Sequence, residues 1–198
     1  DPRAKAAFAR LAEESVEVPG PDADRLGEVA REHGVWLVTG VTEIDPERPG
    51  TLYNTLLYHD AEGHLALHHR KLVPTNHERL VWGQGDGRGL RAIETGFGRL
   101  GGLICWENYM PLARFSLYES GVEIYVASTA DDSDAWQATL GPDALVFTTH
   151  PMNPVQPPSE WVGRDEGSPG YWTGTASLPR SAQHENVAIH IYSPVYAD

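Results

Sequence analysis

The stretch RLGGLICWENYMPLARFSLYESGVEIYVAST, residues 99–129, decides the fold of this chain. It begins with an apolar run that predicts a buried strand ending at Cys105. A helix is predicted from Pro111, in its first turn, to a glycine stop at Gly121. The apolar, β-branched run over residues 122–129 predicts another buried strand. A strand, a helix and a strand in this order predict an α/β fold.

Helical and strand patterns also alternate upstream of this stretch. Residues 21–34 predict a helix with a glycine at its end and with Leu26, Val29 and Ala30 on one face. The short, mostly apolar and β-branched run over residues 35–44 predicts a buried strand.

Two strand pairs complete this pattern. Residues 51–71 predict two strands joined by the turn sequence Asp-Ala-Glu-Gly at residues 60–63. Residues 90–106 predict a second pair of strands, the latter of which leads to the cysteine. Together the elements predict an α/β sandwich with short hairpins on its sheet.

The composition excludes several classes of partner. Acidic residues outnumber Lys and Arg by 28 to 15, which gives a formal net charge of −13. This excess argues against nucleic-acid binding, because phosphate recognition needs a basic face. The sequence has no apolar run of the about 18 residues that a membrane-spanning helix needs. It also begins without the pattern of a secretory signal peptide, so we expect a cytoplasmic protein.

Both ends of the chain have unusual features. The first residue is not methionine, so we expect the sequence to begin inside a longer protein. Residues 141–198 are rich in proline, which fixes φ and removes a backbone donor. We therefore expect a domain at residues 1–140 and a separate Pro-rich segment at residues 141–198, with a boundary near Gly141 and Pro142.

Cys105 is the only cysteine, which excludes an internal disulfide and a Cys-rich zinc site. It lies at the predicted carboxyl end of a strand, where α/β sheets place their ligand sites. A nearby base or cation would be needed to activate it, because the thiolate is the nucleophile. The alternative is that Cys105 is a small, packed core residue.

Two segments carry a resemblance to a known family. They are HHRKLVPTNHERLVWGQGDG, residues 68–87, and GRLGGLICWENYMPLARFSLYESGVEIYVASTADDSDAWQATL, residues 98–140. The chain resembles a nitrilase of the carbon–nitrogen hydrolase superfamily over about residues 10–140. The resemblance implies an αββα sandwich, here incomplete at the N-terminus and after residue 140. It also implies a Glu-Lys-Cys catalytic set and no metal or organic cofactor.

The resemblance assigns roles to five residues. Cys105 matches the family's nucleophile, and Lys71 matches the lysine that stabilises charge on the tetrahedral intermediate. Glu78 matches the second glutamate, which helps to position the substrate or the lysine. Trp106 and Glu107 match the pair found in the nitrilase branch, which implies substrate-binding residues. Packing is the alternative role for both members of this pair.

Two parts of the family pattern do not match this sequence. The general-base glutamate belongs to an earlier strand, and none of Glu13, Glu14 or Glu17 fits it, because they belong to a helix-like stretch further along the chain. The family also has a helix after the position of residue 140 that contributes to the subunit interface. The resemblance therefore implies a family-type homo-oligomer, but the helix that contributes to its interface has no match in this sequence.

The function implied by the resemblance is hydrolysis of a small-molecule nitrile by water to a carboxylic acid and ammonia, through a cysteine thioimidate and an acyl-enzyme. Amide hydrolysis and cyanide degradation are the nearest variants. A second alternative is a catalytically incomplete nitrilase-like fragment or subunit. A third is a hydrolase with a Cys-His pair, which predicts an imidazole rather than Lys71 beside Cys105.

Metal binding has little support in the sequence. His64, His68 and His69 are close together, but adjacent strand residues point to opposite faces, so His68 and His69 are not expected to share a metal. The aspartates within residues 131–134 lack the glycine and terminal glutamate of a calcium loop, which favours a solvated turn. We therefore expect no metal site.

Overall fold

The computed structural model of the protein describes residues 1–129 and the strand at 145–148. The expected boundary at residues 141–142 and the acidic run at 131–134 lie outside the described residues. Residues 1–89 form one compact unit, and the described residues from 90 onward belong to a second. Each unit is described by itself.

The first unit is a four-stranded sheet with two helices. Its sheet has the order β1-β2-β3-β4, in which β1 and β2 are parallel and the other neighbours are antiparallel. The elements are α1 (Pro2–Glu13), β1 (Val16–Glu17), α2 (Pro21–His33), β2 (Leu37–Ile44), β3 (Leu52–His59), β4 (Leu65–Arg70) and a 3₁₀ helix (Asn76–Leu80). The strands and the hairpin predicted from residues 35–71 are confirmed.

Helix α2 begins and ends as the sequence predicts, but its buried face differs. It ends at Gly34, which has a φ of 62° in the left-handed region that favours glycine. Ala30 is buried as predicted, whereas Val29 is 45% exposed. The buried row is Ala23, Gly27 and Ala30, because the helix approaches the sheet along its smallest side chains. The apolar pattern therefore misplaced the face at Val29.

Two glycines allow α2 to lie close to the turn between β3 and β4. A Cβ atom added at Gly27 would lie 2.2 Å from the carbonyl oxygen of Gly63. Gly63 ends the predicted turn with a φ of 91°, which L side chains rarely adopt. The turn is fixed by Asp60, whose side chain accepts hydrogen bonds from the backbone of Glu62 and His64. Helix and hairpin are thus joined by backbone-to-backbone contact.

The stretch before α2 differs from its prediction. The helix-like region expected to hold Glu13, Glu14 and Glu17 ends at Glu13. Glu17 instead lies in β1, which pairs in parallel with β2. Strand pairing with β2 therefore prevails over the helical pattern at this position.

The second unit contains the strand–helix–strand pattern of residues 99–129. Its sheet has the order β5-β6-β7-β8, in which β5 and β6 are antiparallel and the other neighbours are parallel. The elements are β5 (Ile93–Thr95), β6 (Gly98–Ile104), a 3₁₀ helix (Cys105–Tyr109), α3 (Pro111–Glu119), β7 (Ile124–Thr129) and β8 (Leu145–Thr148). The 3₁₀ helix that starts at the cysteine is absent from the sequence prediction.

Each unit thus combines a sheet with at least one helix, and the predicted α/β class is confirmed. Within the part of the chain that the structure describes, no helix has the length and apolar character that crossing a membrane requires.

The contact between α2 and the hairpin turn gives a prediction about Gly27. Alanine favours a helix over glycine by about 1 kcal/mol, but a Cβ at Gly27 would be 2.2 Å from the Gly63 oxygen. We expect the clash to outweigh the propensity, so that Gly27→Ala lowers the unfolding free energy by about 1–3 kcal/mol. The measurement is urea denaturation followed by circular dichroism.

The control is Gly96→Ala, since nothing lies within 4 Å of a Cβ at that glycine. A Gly27→Ala protein more stable than the wild type would show that the helix does not approach the turn so closely.

Candidate active site

Cys105 lies at the point where β6 ends and the 3₁₀ helix Cys105–Tyr109 begins. Its φ is 52°, in the left-handed region. This conformation costs a residue with a side chain about 1–2 kcal/mol. The thiol is half-buried. The strand therefore ends in a tight, strained turn that carries the only sulfhydryl group of the chain.

Buried hydrogen bonds hold this turn. Asn108 Nδ2 donates to the carbonyl oxygen of Cys105 at 2.7 Å and to that of Leu103 at 3.3 Å. Tyr125 in β7 donates from its hydroxyl to Asn108 Oδ1 at 2.7 Å. Burial raises the pKa of Tyr125, which keeps its hydroxyl protonated as a donor. The turn is thus tied to the neighbouring strand.

The two residues after the cysteine have different surroundings. Trp106 is 53% exposed, and its ring centroid lies 5.3 Å from that of Tyr109. Glu107 is 1% exposed, and its Oε2 accepts a hydrogen bond from the backbone N–H of Ile104 at 2.7 Å. Of the predicted substrate-binding pair, Trp106 lies at the surface and Glu107 turns back into the protein.

A threonine lies beside the sulfur. Thr129 is the last residue of β7, is 4% exposed, and has its Oγ1 3.2 Å from Cys105 Sγ. The parallel register pairs Ile104 with Ser128, so the next residue on each strand comes to the same sheet edge. Sequence reasoning missed Thr129, although its position at the end of the neighbouring strand is a usable signal.

Lys71 follows β4 in the first unit and is 1% exposed. Its Nζ donates to Glu78 Oε2 at 2.6 Å. Its backbone N–H donates to Asn54 and its carbonyl oxygen accepts from Gly85, both at 2.8 Å. A buried ammonium group is very costly without a partner, so the Glu78 carboxylate is essential to this arrangement.

Glu78 lies in the 3₁₀ helix Asn76–Leu80 with a side chain that is 29% exposed. Its Oε2 also accepts from the backbone N–H of Thr75 at 2.6 Å. One carboxylate oxygen therefore caps the 3₁₀ helix and pairs with Lys71. The structure brings these two predicted site residues together within the first unit, while Cys105, Trp106 and Glu107 belong to the second.

A second buried carboxylate lies in the same unit and was missed by the sequence analysis. Glu43 is fully buried and accepts from Thr55 Oγ1 at 2.6 Å, His68 Nε2 at 2.8 Å and Arg70 Nε at 3.0 Å. Arg70 Nη2 also donates to it, and Nη1 reaches Asp45 at 3.3 Å. Burial raises the pKa of Glu43, but the hydrogen bonds from His68, Arg70 and Thr55 outweigh this and lower it overall.

The histidines have other contacts. His64 lies 3.1 Å from Asp60 Oδ2, His68 bonds to Glu43, and His69 is fully buried. Among residues 1–129 and 145–148, no group of three or more His, Cys, Asp or Glu side chains is arranged to hold a metal ion.

Comparison with known proteins places the chain in a family. The carbon–nitrogen hydrolase family matches residues 3–163, which is most of the sequence. The chain belongs to this family. The resemblance identified from residues 68–87 and 98–140 is thereby confirmed.

Curated relatives are similar over much of this chain. The bifunctional nitrilase/nitrile hydratase NIT4A of Nicotiana tabacum is 45% identical over 143 residues, covering 72% of this chain and 40% of the relative. The aliphatic nitrilase of Sinorhizobium fredii is 46% identical over 144 residues, covering 73% of this chain and 46% of the relative. The chain therefore spans less than half the length of these two proteins.

Solved structures show the same fold. Nit3 of Saccharomyces cerevisiae, from branch 10 of the nitrilase superfamily, has a TM-score of 0.60 at 19% identity, covering 75% of this chain and 59% of that one. A carbon–nitrogen hydrolase from Helicobacter pylori has a TM-score of 0.54 at 21% identity, covering 64% and 50%. The expected nitrilase-like α/β fold is thus confirmed.

The Lys71–Glu78 pair gives a prediction about stability. In Glu78→Gln the amide oxygen can still accept from Thr75, but the buried ammonium of Lys71 loses its counter-charge. We expect the unfolding free energy at neutral pH to fall by about 2–4 kcal/mol. Urea denaturation of the purified variant measures this loss.

The matched control is Glu94→Gln, because Glu94 pairs with Arg99 at 2.5 Å on the surface, where their side chains are 69% and 48% exposed. That change should cost less than about 1 kcal/mol. Equal losses in the two variants would contradict a special role for the buried pair.

The Glu43 cluster gives a prediction about acid stability. Its pKa is lowered in the folded state, so the unfolded chain takes up the proton more readily. The ionised Glu43 carboxylate stabilises the folded state at pH values above its ordinary pKa of 4.5. This stabilisation is lost as the pH falls below 4.5 towards the lowered pKa of the folded state. We expect Glu43→Gln to be less stable at pH 7 but to lose less stability between about pH 5 and pH 3.5 than the wild type.

Urea midpoints of both proteins across this range test the prediction. An identical pH dependence in wild type and variant would show that Glu43 does not carry the effect.

Proposed function

We propose that this protein hydrolyses a carbon–nitrogen bond, and that its substrate is a small nitrile converted to a carboxylic acid and ammonia. The observation that carries the proposal is the 45–46% identity to two relatives that are named as nitrilases. The strained turn at Cys105 and the buried Lys71–Glu78 pair support it, because they supply a nucleophile and a fixed cation.

Cys105 is proposed as the nucleophile. A nitrile carbon is a weak electrophile, and a polarizable thiolate attacks it better than a hydroxyl group does. The positive φ at Cys105 ends β6 abruptly and leaves the thiol half-buried at the sheet edge. Asn108 and Glu107 hold this turn through the backbone, so the sulfur has a fixed position before substrate arrives.

The reaction proceeds in two hydrolytic stages. The thiolate adds to the nitrile carbon and the nitrogen takes up a proton, which gives a thioimidate. Water adds to that carbon, the C–N bond breaks and ammonia leaves, so that a thioester remains. A second water then breaks the C–S bond, which releases the carboxylic acid and the thiol. The net reaction consumes two water molecules for each nitrile.

Lys71 is proposed to stabilise the negative charge that develops during attack. A preorganised cation in a site that excludes water is worth more than one in solvent. Glu78 is proposed as a positioning residue, because its carboxylate binds Lys71 Nζ and caps the 3₁₀ helix at the same time. Activation of water by a general base typically raises the rate of an enzymatic reaction by about 10²–10⁴-fold. We assign no residue to that role.

Trp106 and Glu107 are proposed to act on substrate binding in different ways. The half-exposed ring of Trp106 can contact an apolar group of the substrate. Glu107 is buried and bonded to the Ile104 backbone, so we propose that it holds the loop that presents Trp106.

The test is release of ammonia from a panel of small aliphatic and aromatic nitriles. We expect Cys105→Ala to abolish turnover and Cys105→Ser to reduce it by at least about 10³-fold, because the hydroxyl is a poorer nucleophile. Circular dichroism of both variants establishes that they are folded. Ammonia release by Cys105→Ala at the wild-type rate would overturn the assignment.

Product analysis separates the alternatives. Amide as the main product would indicate hydration, and turnover of amides or cyanide in place of nitriles would indicate the nearest variants of the reaction. Inactivity of this chain, with activity in a version extended upstream, would favour the fragment alternative and a base on the added segment.

A further inference from the structure

The side chain of Thr129 makes a direct contact with the sulfur of Cys105. Its Oγ1 lies 3.2 Å from Sγ, and the residue is 4% exposed. The two residues are 24 positions apart and meet because β6 and β7 are parallel neighbours that end at the same sheet edge. The contact is therefore produced by the fold and not by the local sequence.

The chemistry of this contact depends on the state of the sulfur. A thiolate has no proton, so it can only accept, and the Thr129 hydroxyl must then be the donor. A hydrogen bond to a charged acceptor is roughly twice as strong as one between neutral groups. When the sulfur is a thiolate, the contact is therefore a charge-assisted hydrogen bond donated by Thr129.

The geometry also favours a fixed donor. Threonine is β-branched, so its χ1 angle has few choices within a strand. Thr129 is almost completely buried at the end of a strand whose six residues are all buried. The hydroxyl is thus held beside the sulfur before any substrate binds. It does not have to reorient when negative charge forms on the sulfur.

We propose that Thr129 is a positioning residue that holds Cys105 as a reactive thiolate by donating a hydrogen bond to Sγ. The proposal rests on the proposed function of Cys105 as the nucleophile. When the thiol ionises, its proton passes to water, and Thr129 keeps its own proton throughout. The alternative is a packing role, in which the methyl group of Thr129 matters and its hydroxyl does not.

Two substitutions separate these roles. Thr129→Val keeps the shape and the methyl group and removes the hydroxyl, whereas Thr129→Ser keeps the hydroxyl and removes the methyl. The readout is the second-order rate of alkylation by iodoacetamide at pH 7, followed by intact-protein mass spectrometry. Because the chain has one cysteine, every added carbamidomethyl group on sulfur reports Cys105.

We expect Thr129→Val to be alkylated about five- to tenfold more slowly than the wild type, since a charge-assisted bond is lost and the remaining thiolate is somewhat more nucleophilic. Thr129→Ser should react within about twofold of the wild type. Urea denaturation should give the opposite order, with Ser less stable than Val, because a buried methyl group is lost. If the Val variant does not fold, the comparison of Thr129→Ser with Thr129→Ala isolates the hydroxyl, because both variants lack the methyl group and only Ser keeps the hydroxyl.

A wild-type alkylation rate in Thr129→Val would overturn the proposal, and so would an equal slowing in Val and Ser. Alkylation does not require nitrile turnover, so the two hypotheses fail separately. A slow Val variant in a protein that hydrolyses no nitrile would support the Thr129 contact and contradict the proposed reaction.

Discussion

The left-handed turn at Cys105 is the constraint on which the second unit depends. A cysteine at a φ of 52° is unfavourable in isolation. This backbone conformation persists because the surrounding hydrogen bonds hold the turn in place. Glu107 holds the backbone on one side of the turn, and Asn108 holds the carbonyl of the cysteine on the other. Tyr125 fixes the asparagine from the neighbouring strand. The backbone strain at Cys105 is thus compensated by hydrogen bonds from buried polar groups.

The first unit contains buried or partly buried cations that are neutralised by carboxylates. Arg70 is the last residue of β4, and Lys71 follows it directly. Glu78 neutralises the lysine, and Glu43 binds the arginine, whose guanidinium carbon also lies 4.0 Å from the ring centroid of Tyr53. Two adjacent cations at this end of β4 are therefore each held by a carboxylate.

Local patterns in the sequence predicted most of the elements but not the groups that hold the site. Apolar runs, Pro111 at a helix start and the turn at residues 60–63 are local signals, and the structure agrees with them. The contacts of Glu43 with Arg70 and of Thr129 with Cys105 join residues 24 to 27 positions apart. They depend on strand order and register, which a single sequence does not specify. The 3₁₀ helix after Cys105 was missed because a short capped turn has no apolar period.

The same capping contact, a glutamate carboxylate that accepts from a backbone N–H, occurs at both 3₁₀ helices. Glu78 reaches back three residues to the N–H of Thr75, and Glu107 reaches back three residues to the N–H of Ile104. Each carboxylate fixes the turn next to a proposed catalytic residue. Glu107 is buried beside the cysteine turn, and Glu78 is partly exposed and binds the Lys71 ammonium group. Glu78 therefore stiffens its turn and holds a cation with the same carboxylate oxygen.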